Sequence, residues 1–414
     1  MNTSSSTITL ASRFHQGPIS LQLVKPICFL IPLLPFISEE IEKVSGRGSV
    51  CYLIFDFLIL ISASLFIFSK SPRSSSIDQS MFVSALVFSV FVFISGLLTQ
   101  TEADTFGGDK GILLLIHTLL PYIWFLSTWR AFPSFGYYRT IGMSLIAGTV
   151  IAAIWYLLNM RGLQAGYALG FWTTVSLSSG VNHNTLGLMY AIAVAMLLPV
   201  RMASNRWLKP LVIVFLTVAL LLTFSRSAYI ALSCALILLF FIKRRGWLFS
   251  ITLILAIVGI MLLFPFLMET SLERVSYTLG SGSLDVSSQT RVLLWKSSLT
   301  AAVHNPVFGI GFGKSLAEWD YGLRLSPSRL IFSHNYFLTL LSQLGLVGFL
   351  LGSFLLMKGY LLSNRPDFGD LGVSVRMVLA TVIVASFFGE PLLWQGTLLI
   401  TMILLRFVSS ARQS

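Results

Sequence analysis

The chain has 414 residues, 55% of them hydrophobic and 11% charged, with a formal net charge of +12 and a mean hydropathy of +0.84. A soluble domain carries ~25% charged residues. The deficit here runs along the whole length, which excludes a soluble body on a single anchor. Cys28, Cys51 and Cys234 lie in apolar stretches with no CxxC pair and no His/Cys cluster, so neither a zinc site nor a disulfide framework is indicated.

A membrane-crossing helix needs roughly 20 mainly apolar residues. Taken from the N-terminus, such stretches predict spans near 24–38, 50–68, 80–98, 111–128, 140–158, 183–200, 209–223, 227–243, 247–266, 334–358, 374–388 and 391–407. The first twenty residues are polar and no cleavable signal is expected. The stretch 166–179 is apolar but too short to span, and is expected as an interfacial or re-entrant piece. The one long segment between spans is 268–333, of mixed charge, Ser, Gly and aromatics, with a helix predicted over 289–303. The expected architecture is an all-α integral membrane protein of about twelve transmembrane helices with one large periplasmic loop containing helices. In that scheme, 1–267 holds the first nine spans, 268–333 is the loop, 334–414 holds the last three, and the whole is one membrane domain.

Short cytoplasmic loops are rich in Lys and Arg. Alternate loops here carry Lys70 and Arg73, Arg130 and Arg139, Arg201, Arg206 and Lys209, Lys243 to Arg245, and Lys358 and Arg365. The termini add Arg13, Lys25, Arg406 and Arg412, and Arg376 falls at the same edge. Against this collar stand the acids Asp78, Asp367 and Asp370, while Asp56 and Glu390 fall in or at spans. Both termini are therefore expected in the cytoplasm. The positive excess reads as a collar for anionic lipid headgroups of the bilayer, and no nucleic-acid partner is expected.

The residues with chemical potential gather at the opposite edge. Arg226, beside Ser225 in TFSRSAYIAL, sits at the short outer turn between two spans, where an arginine is either an interfacial snorkel or a site group. Arg291 and Trp295 in QTRVLLWKSSL share a face of the loop helix by their spacing of four. His334 and Asn335 open a span in SHNYFLTLL, as a helix cap alone or as a cap that also presents a titratable ring. His183 and Asn184 in GVNHNTLG repeat the arrangement, as a cap or as site groups. The segment HNPVFGIGFGKS lacks the GxxxxGK[ST] spacing and the βαβ frame of nucleotide loops. Its Gly309, Gly311 and Gly313 are expected to form a tight turn under the loop helix. No carboxylate pair or HExxH suggests a metal, and no cofactor is expected.

Together, TFSRSAYIAL, QTRVLLWKSSL followed by NPVFGIGFG, and HNYFLTLLSQLGLVGFLL resemble the O-antigen ligase and polymerase superfamily of bacterial envelope assembly, over about 180–355. VNHNTLG resembles a further, weaker pattern of that superfamily, and the first 160 residues resemble it only in layout. The resemblance implies an inner-membrane glycosyltransferase with its site facing the periplasm. Its donor would be an undecaprenyl-diphosphate-linked glycan and, in the ligases, its acceptor lipid A–core, with no ATP and no metal. By the same resemblance Arg226 and Arg291 would bind the diphosphate and His334 would be the catalytic histidine. Asn335, Asn184, Ser225 and Trp295 would support them. A ligase is the expectation, a repeat-unit polymerase on the same donor is the alternative, and a lipid-linked glycan transporter built around Asp56 is a second alternative.

Overall fold

The computed structural model describes residues 19–38, 49–68, 78–100, 109–128, 135–159, 183–200, 207–223, 225–243, 286–320 and 332–409. The predicted span at 247–266, the stretch 166–179 with Phe171 and Trp172, and Tyr321 lie outside the described residues. Every other predicted span coincides with helix: α1 Ile19–Leu30, α2 Ser49–Phe68, α3 Gln79–Gln100, α4 Asp109–Ser127, α5 Phe135–Asn159, α6 His183–Leu197, α7 Leu208–Leu222, α8 Arg226–Ile242, α10 Tyr336–Leu362, α11 Gly369–Ser386 and α12 Gln395–Val408. The helix expected in the long loop is present as α9, Val286–His304. No strand occurs among the described residues.

Among the described residues, five stretches are long and apolar enough to cross a membrane by length and composition: Cys51–Phe68, Gln79–Thr99, Tyr138–Leu158, Tyr336–Leu362 and Pro366–Ser386. α1, α4, α6, α7, α8 and α12 carry shorter apolar stretches. On α2 and α3 the outward residues Ile54, Phe57, Leu60, Val83, Val87 and Phe93 are exposed. Apolar surface so continuous suits hydrocarbon and not water. α6 is the opposite case, with Leu186 and the run from Leu188 to Ala195 buried. A helix apolar on every side belongs in the middle of a bundle, and α6 packs against α5, α7, α8 and α11. Close backbone approach uses small residues, as helix pairs in membranes do. A Cβ on Gly148 of α5 would lie 2.0 Å from the carbonyl oxygen of Phe29 in α1.

The bundle has two polar ends. At one, Lys243 after α8 pairs with Asp370 of α11 at 2.5 Å, and Lys358 of α10 pairs with Asp78 before α3 at 3.7 Å. Lys209 donates to the carbonyls of Leu198 and Val200 at the end of α6. Arg406 of α12, fully buried, donates to the carbonyl of Thr128 at the end of α4. Asp78 also starts α3, its carboxylate accepting from the Met81 N–H and the Ser80 hydroxyl, as an N-cap does. The other end holds the starts of α6, α8 and α10 and the turn before α12.

One helix is broken, and the break organises that other end. α10 has non-helical backbone at Gly345, φ 63° and ψ −165°. A break frees backbone groups that cost ~1–3 kcal/mol each if left buried without partners. Here the glycine-rich segment after α9 supplies the partners. Ile310 N–H donates to Ser342 O at 2.9 Å and Gly311 N–H to Gln343 O at 2.9 Å. Leu346 N–H donates to Pro306 O at 2.8 Å, and Gly313 N–H to the Gln343 side chain at 3.0 Å. Gly309, Gly311 and Gly313 adopt φ of 70°, 108° and 85°. The tight turn expected there is present, and it does more than turn: it plugs into α10 and thereby fixes α9 against α10. Phe312 N–H donates to Ser95 near the end of α3, which completes the seat.

Inside the bundle, Asp56 of α2 lies 2.9 Å from His117 of α4, with 8% of its side chain exposed, and accepts a hydrogen bond from Gln395 of α12. This polar tie joins three helices.

Candidate active site

Asn335 is the N-cap of α10. Its side chain accepts from the N–H groups of Phe337 and Leu338, each at 3.1 Å. The span expected to open at His334 therefore opens as helix at Tyr336, with His334 one residue outside the cap. His334 has φ 53°, the one positive value at a non-glycine position among the described residues. Histidine visits this left-handed region seldom, and such backbone concentrates at functional sites. The His334 side chain is 54% exposed.

Sequence reasoning missed the partner that the fold places there. Glu390, in the connection between α11 and α12, is 10% exposed, and its Oε2 lies 3.6 Å from His334 Nδ1. Its Oε1 accepts from the Asn335 N–H at 3.1 Å and the Thr339 hydroxyl at 3.3 Å. Ser333 binds Thr339 at 2.7 Å and the Asn335 carbonyl at 2.6 Å. The only signal in the sequence was one carboxyl between two apolar spans, in FFGEPLLW, with nothing local to say what it faces.

Arg291, half-buried in the first half of α9, bears on both members electrostatically. Burial first, then the positive charge of Arg291, holds the His334 imidazole below its usual pKa. Burial pushes the Glu390 carboxyl up to about 7, against the opposing pull of its hydrogen bonds and of Arg291. Both directions follow from the cost of charge at a desolvated site. Trp295, one turn after Arg291, has its indole N–H buried without a hydrogen-bond partner among the described residues.

Asn184, Ser225 and Arg226 form a second group. Ser225 precedes α8 as its N-cap but makes no capping bond with its side chain. Its hydroxyl instead donates to Asn184 Oδ1 at 3.0 Å and meets the Ser227 hydroxyl at 3.2 Å. Arg226, exposed, is the first residue of α8. The side chain of His183 lies outside the described residues. The two groups flank one helix. They share α11, which packs on both α8 and α10 and ends just before Glu390. Among the described residues no three His, Cys, Asp or Glu side chains are placed to hold a metal ion.

Apolar helices around a half-buried arginine, an imidazole and a buried carboxyl define a multi-pass membrane protein with a polar cluster at one end. Residues 211–352, a third of the chain, match the model of a family described as O-antigen ligase. The match supports the O-antigen ligase and polymerase superfamily, whose members act as membrane glycosyltransferases on lipid-linked glycans. It contains Arg226, Arg291 and His334, and it stops short of Glu390. No curated protein matches the chain.

Proposed function

We propose that the protein is an O-antigen ligase. It transfers a glycan from undecaprenyl diphosphate to lipid A–core on the periplasmic side of the inner membrane. The observation that carries this reading is the left-handed His334 facing Glu390 at one end of an apolar bundle, with the Arg291 charge bearing on both and with Arg291 and His334 inside the family match. The acceptor hydroxyl attacks the anomeric carbon of the glycan. The bond from that carbon to the phosphate oxygen breaks, with inversion, and the electron pair leaves on the diphosphate. Charge grows on that leaving group, and guanidiniums grip it with paired hydrogen bonds while staying charged at any relevant pH. Such donors at a low-dielectric edge are worth a few kcal/mol each in a transition state. Arg291 and Arg226 take this role, and no nucleotide or metal is required. The acceptor proton passes to His334, whose neutral ring suits a general base.

Orientation follows the charge asymmetry. The end with Lys209, Lys243 and Lys358 faces the cytoplasm, both termini are assigned to that side, and α9 with its glycine turn belongs to the periplasmic end. The donor's polyprenyl tail stays in lipid while its diphosphate reaches the arginines at the rim. The ligase is favoured over the polymerase by the single loop of moderate length.

The test uses purified protein with undecaprenyl-diphosphate glycan and lipid A–core, without nucleotide and with EDTA, alongside Arg226→Ala, Arg291→Ala and His334→Ala. Glycan on lipid A–core, lost in the three variants, is the expected outcome. Longer lipid-linked chains with no transfer to core would make the protein a polymerase. No product with either acceptor from folded protein would overturn the transferase reading.

A further inference from the structure

Glu390 lies outside the family match, and nothing in the transfer chemistry above uses it. Yet the connection that carries it clamps the backbone immediately after His334. Asn335 N–H is bound by Glu390 Oε1, and Tyr336 N–H is bound by Gly389 O at 2.9 Å. Two successive backbone donors following the left-handed residue are thus fixed by one two-residue segment. The carboxyl is divided in labour: Oε1 takes the Asn335 and Thr339 donors, and Oε2 is turned to the ring. The His334 backbone also donates to this carboxyl, so one side chain holds the backbone of the residue whose ring it faces.

We infer that Glu390 is a positioning residue for His334, accepting its Nδ1–H so that the Nε2 lone pair is left for the acceptor hydroxyl. The inference rests on the transferase reading for what the ring does, and on geometry alone for the pairing. At 3.6 Å the contact is longer than a hydrogen bond, and catalytic hydrogen bonds are often long without substrate and tighten with it. In the transfer step the acceptor O–H bond breaks and its proton goes to Nε2. The imidazolium so formed faces the Glu390 carboxylate until the proton leaves to solvent.

The charged group from another element that bears on the pair, among the described residues, is Arg291 of α9. The carboxylate forms as pH rises through about 7. The imidazole, held below its usual pKa, is already neutral there. The working state is therefore populated on the alkaline side of neutrality, and transfer speeds up as pH rises through that value.

The test compares wild type with Glu390→Gln and Glu390→Asp. Glutamine keeps an oxygen for Asn335 and Thr339 and removes the charge. The expected result is a fall in kcat of about 100-fold in Glu390→Gln. KM for the donor stays close to wild type, the rise through neutrality is flattened, and Glu390→Asp recovers part of the rate. Thermal unfolding checks the fold. A second readout needs no substrate: carbethoxylation of His334 by diethylpyrocarbonate, followed across pH by mass spectrometry of its peptide. In wild type the carbethoxylation rate should rise a second time through about 7, as the carboxylate forms against Nδ1–H and makes Nε2 more nucleophilic, and Glu390→Gln should lose that second rise. A second rise through about 7 that persists in folded Glu390→Gln, or a reduced kcat whose pH profile keeps the wild-type shape, would overturn the inference. If wild type makes no product, the transferase reading fails while the carbethoxylation profile through about 7 still decides the pairing.

Discussion

Asp78 and Glu390 sit at opposite ends of the same bundle, and each takes hydrogen bonds that belong to the start of a helix. Asp78 is under modest burial, and the Ser80 hydroxyl, the Met81 N–H and Lys358 overcome it, so its carboxyl stays below the usual range. Glu390 has comparable donors, but burial outweighs them and its carboxyl is pushed up to about 7. The lesson is that a helix-starting acid becomes a titratable group near neutral pH when it is deeply buried and its strongest cation stands off. The bundle uses one acid to tie helices together and keeps the other available to a histidine.

The sharpest way to break the comparison is to remove the ring. His334→Asn should lower transfer about 10²–10⁴-fold. It should leave the fold intact, since asparagine accepts left-handed backbone; transfer assays beside thermal unfolding check this. Nearly as severe, but on the fold, is Gly309→Ala. Its Cβ would lie 2.4 Å from the Gln343 backbone at a φ of 70°, so the seat of α9 on α10 should weaken by about 2–4 kcal/mol, read as a lower Tm or loss of folded yield.

Arg291→Gln sharpens the comparison from the cationic side. Removing the positive charge should move the His334 carbethoxylation midpoint up in pH, a shift that Glu390→Gln does not produce, and weaken donor binding about 10-fold. The smallest effect belongs to the other end. Asp78→Ala should cost about 1 kcal/mol through the lost cap, with kcat unchanged.

The two acids also predict opposite dependence of stability on pH. Asp78, with its pKa depressed in the fold, contributes stability that is present at neutral pH and lost as pH falls through its folded value. Glu390 has its pKa raised in the fold. It favours the folded state fully only below its ordinary value of 4.5, and that contribution fades as pH rises through about 7. Thermal unfolding of Glu390→Gln should accordingly lose the decline between those two values.

How much of this was legible beforehand depended on range. Helix positions from α2 to α12 were readable because a run of apolar residues states its own length, and α9 was readable from QTRVLLWKSSLTAAV. The caps at Asn335 and Asp78 obey local rules. The glycine turn was readable as a turn, but its insertion into the break at Gly345 was not. That break sits in LLSQLGLVGFLL, where a single glycine is compatible with an unbroken helix. Asn184 and Ser225 were flagged separately, and their hydrogen bond across 41 positions was invisible.

The sequence by itself determined the class of the protein, the collar of positive charge, and the identity of Arg226, Arg291 and His334 as candidates. Composition, hydropathy and short motifs are properties of neighbours along the chain. Tertiary structure alone decided that Glu390 faces His334 across 55 or more intervening residues, that Arg291 reaches the same cluster, and that the α10 break locks them in place. Those relations exist only once helices pack, because a carboxyl's burial and a ring's partner are set by residues that the chain brings back from far away.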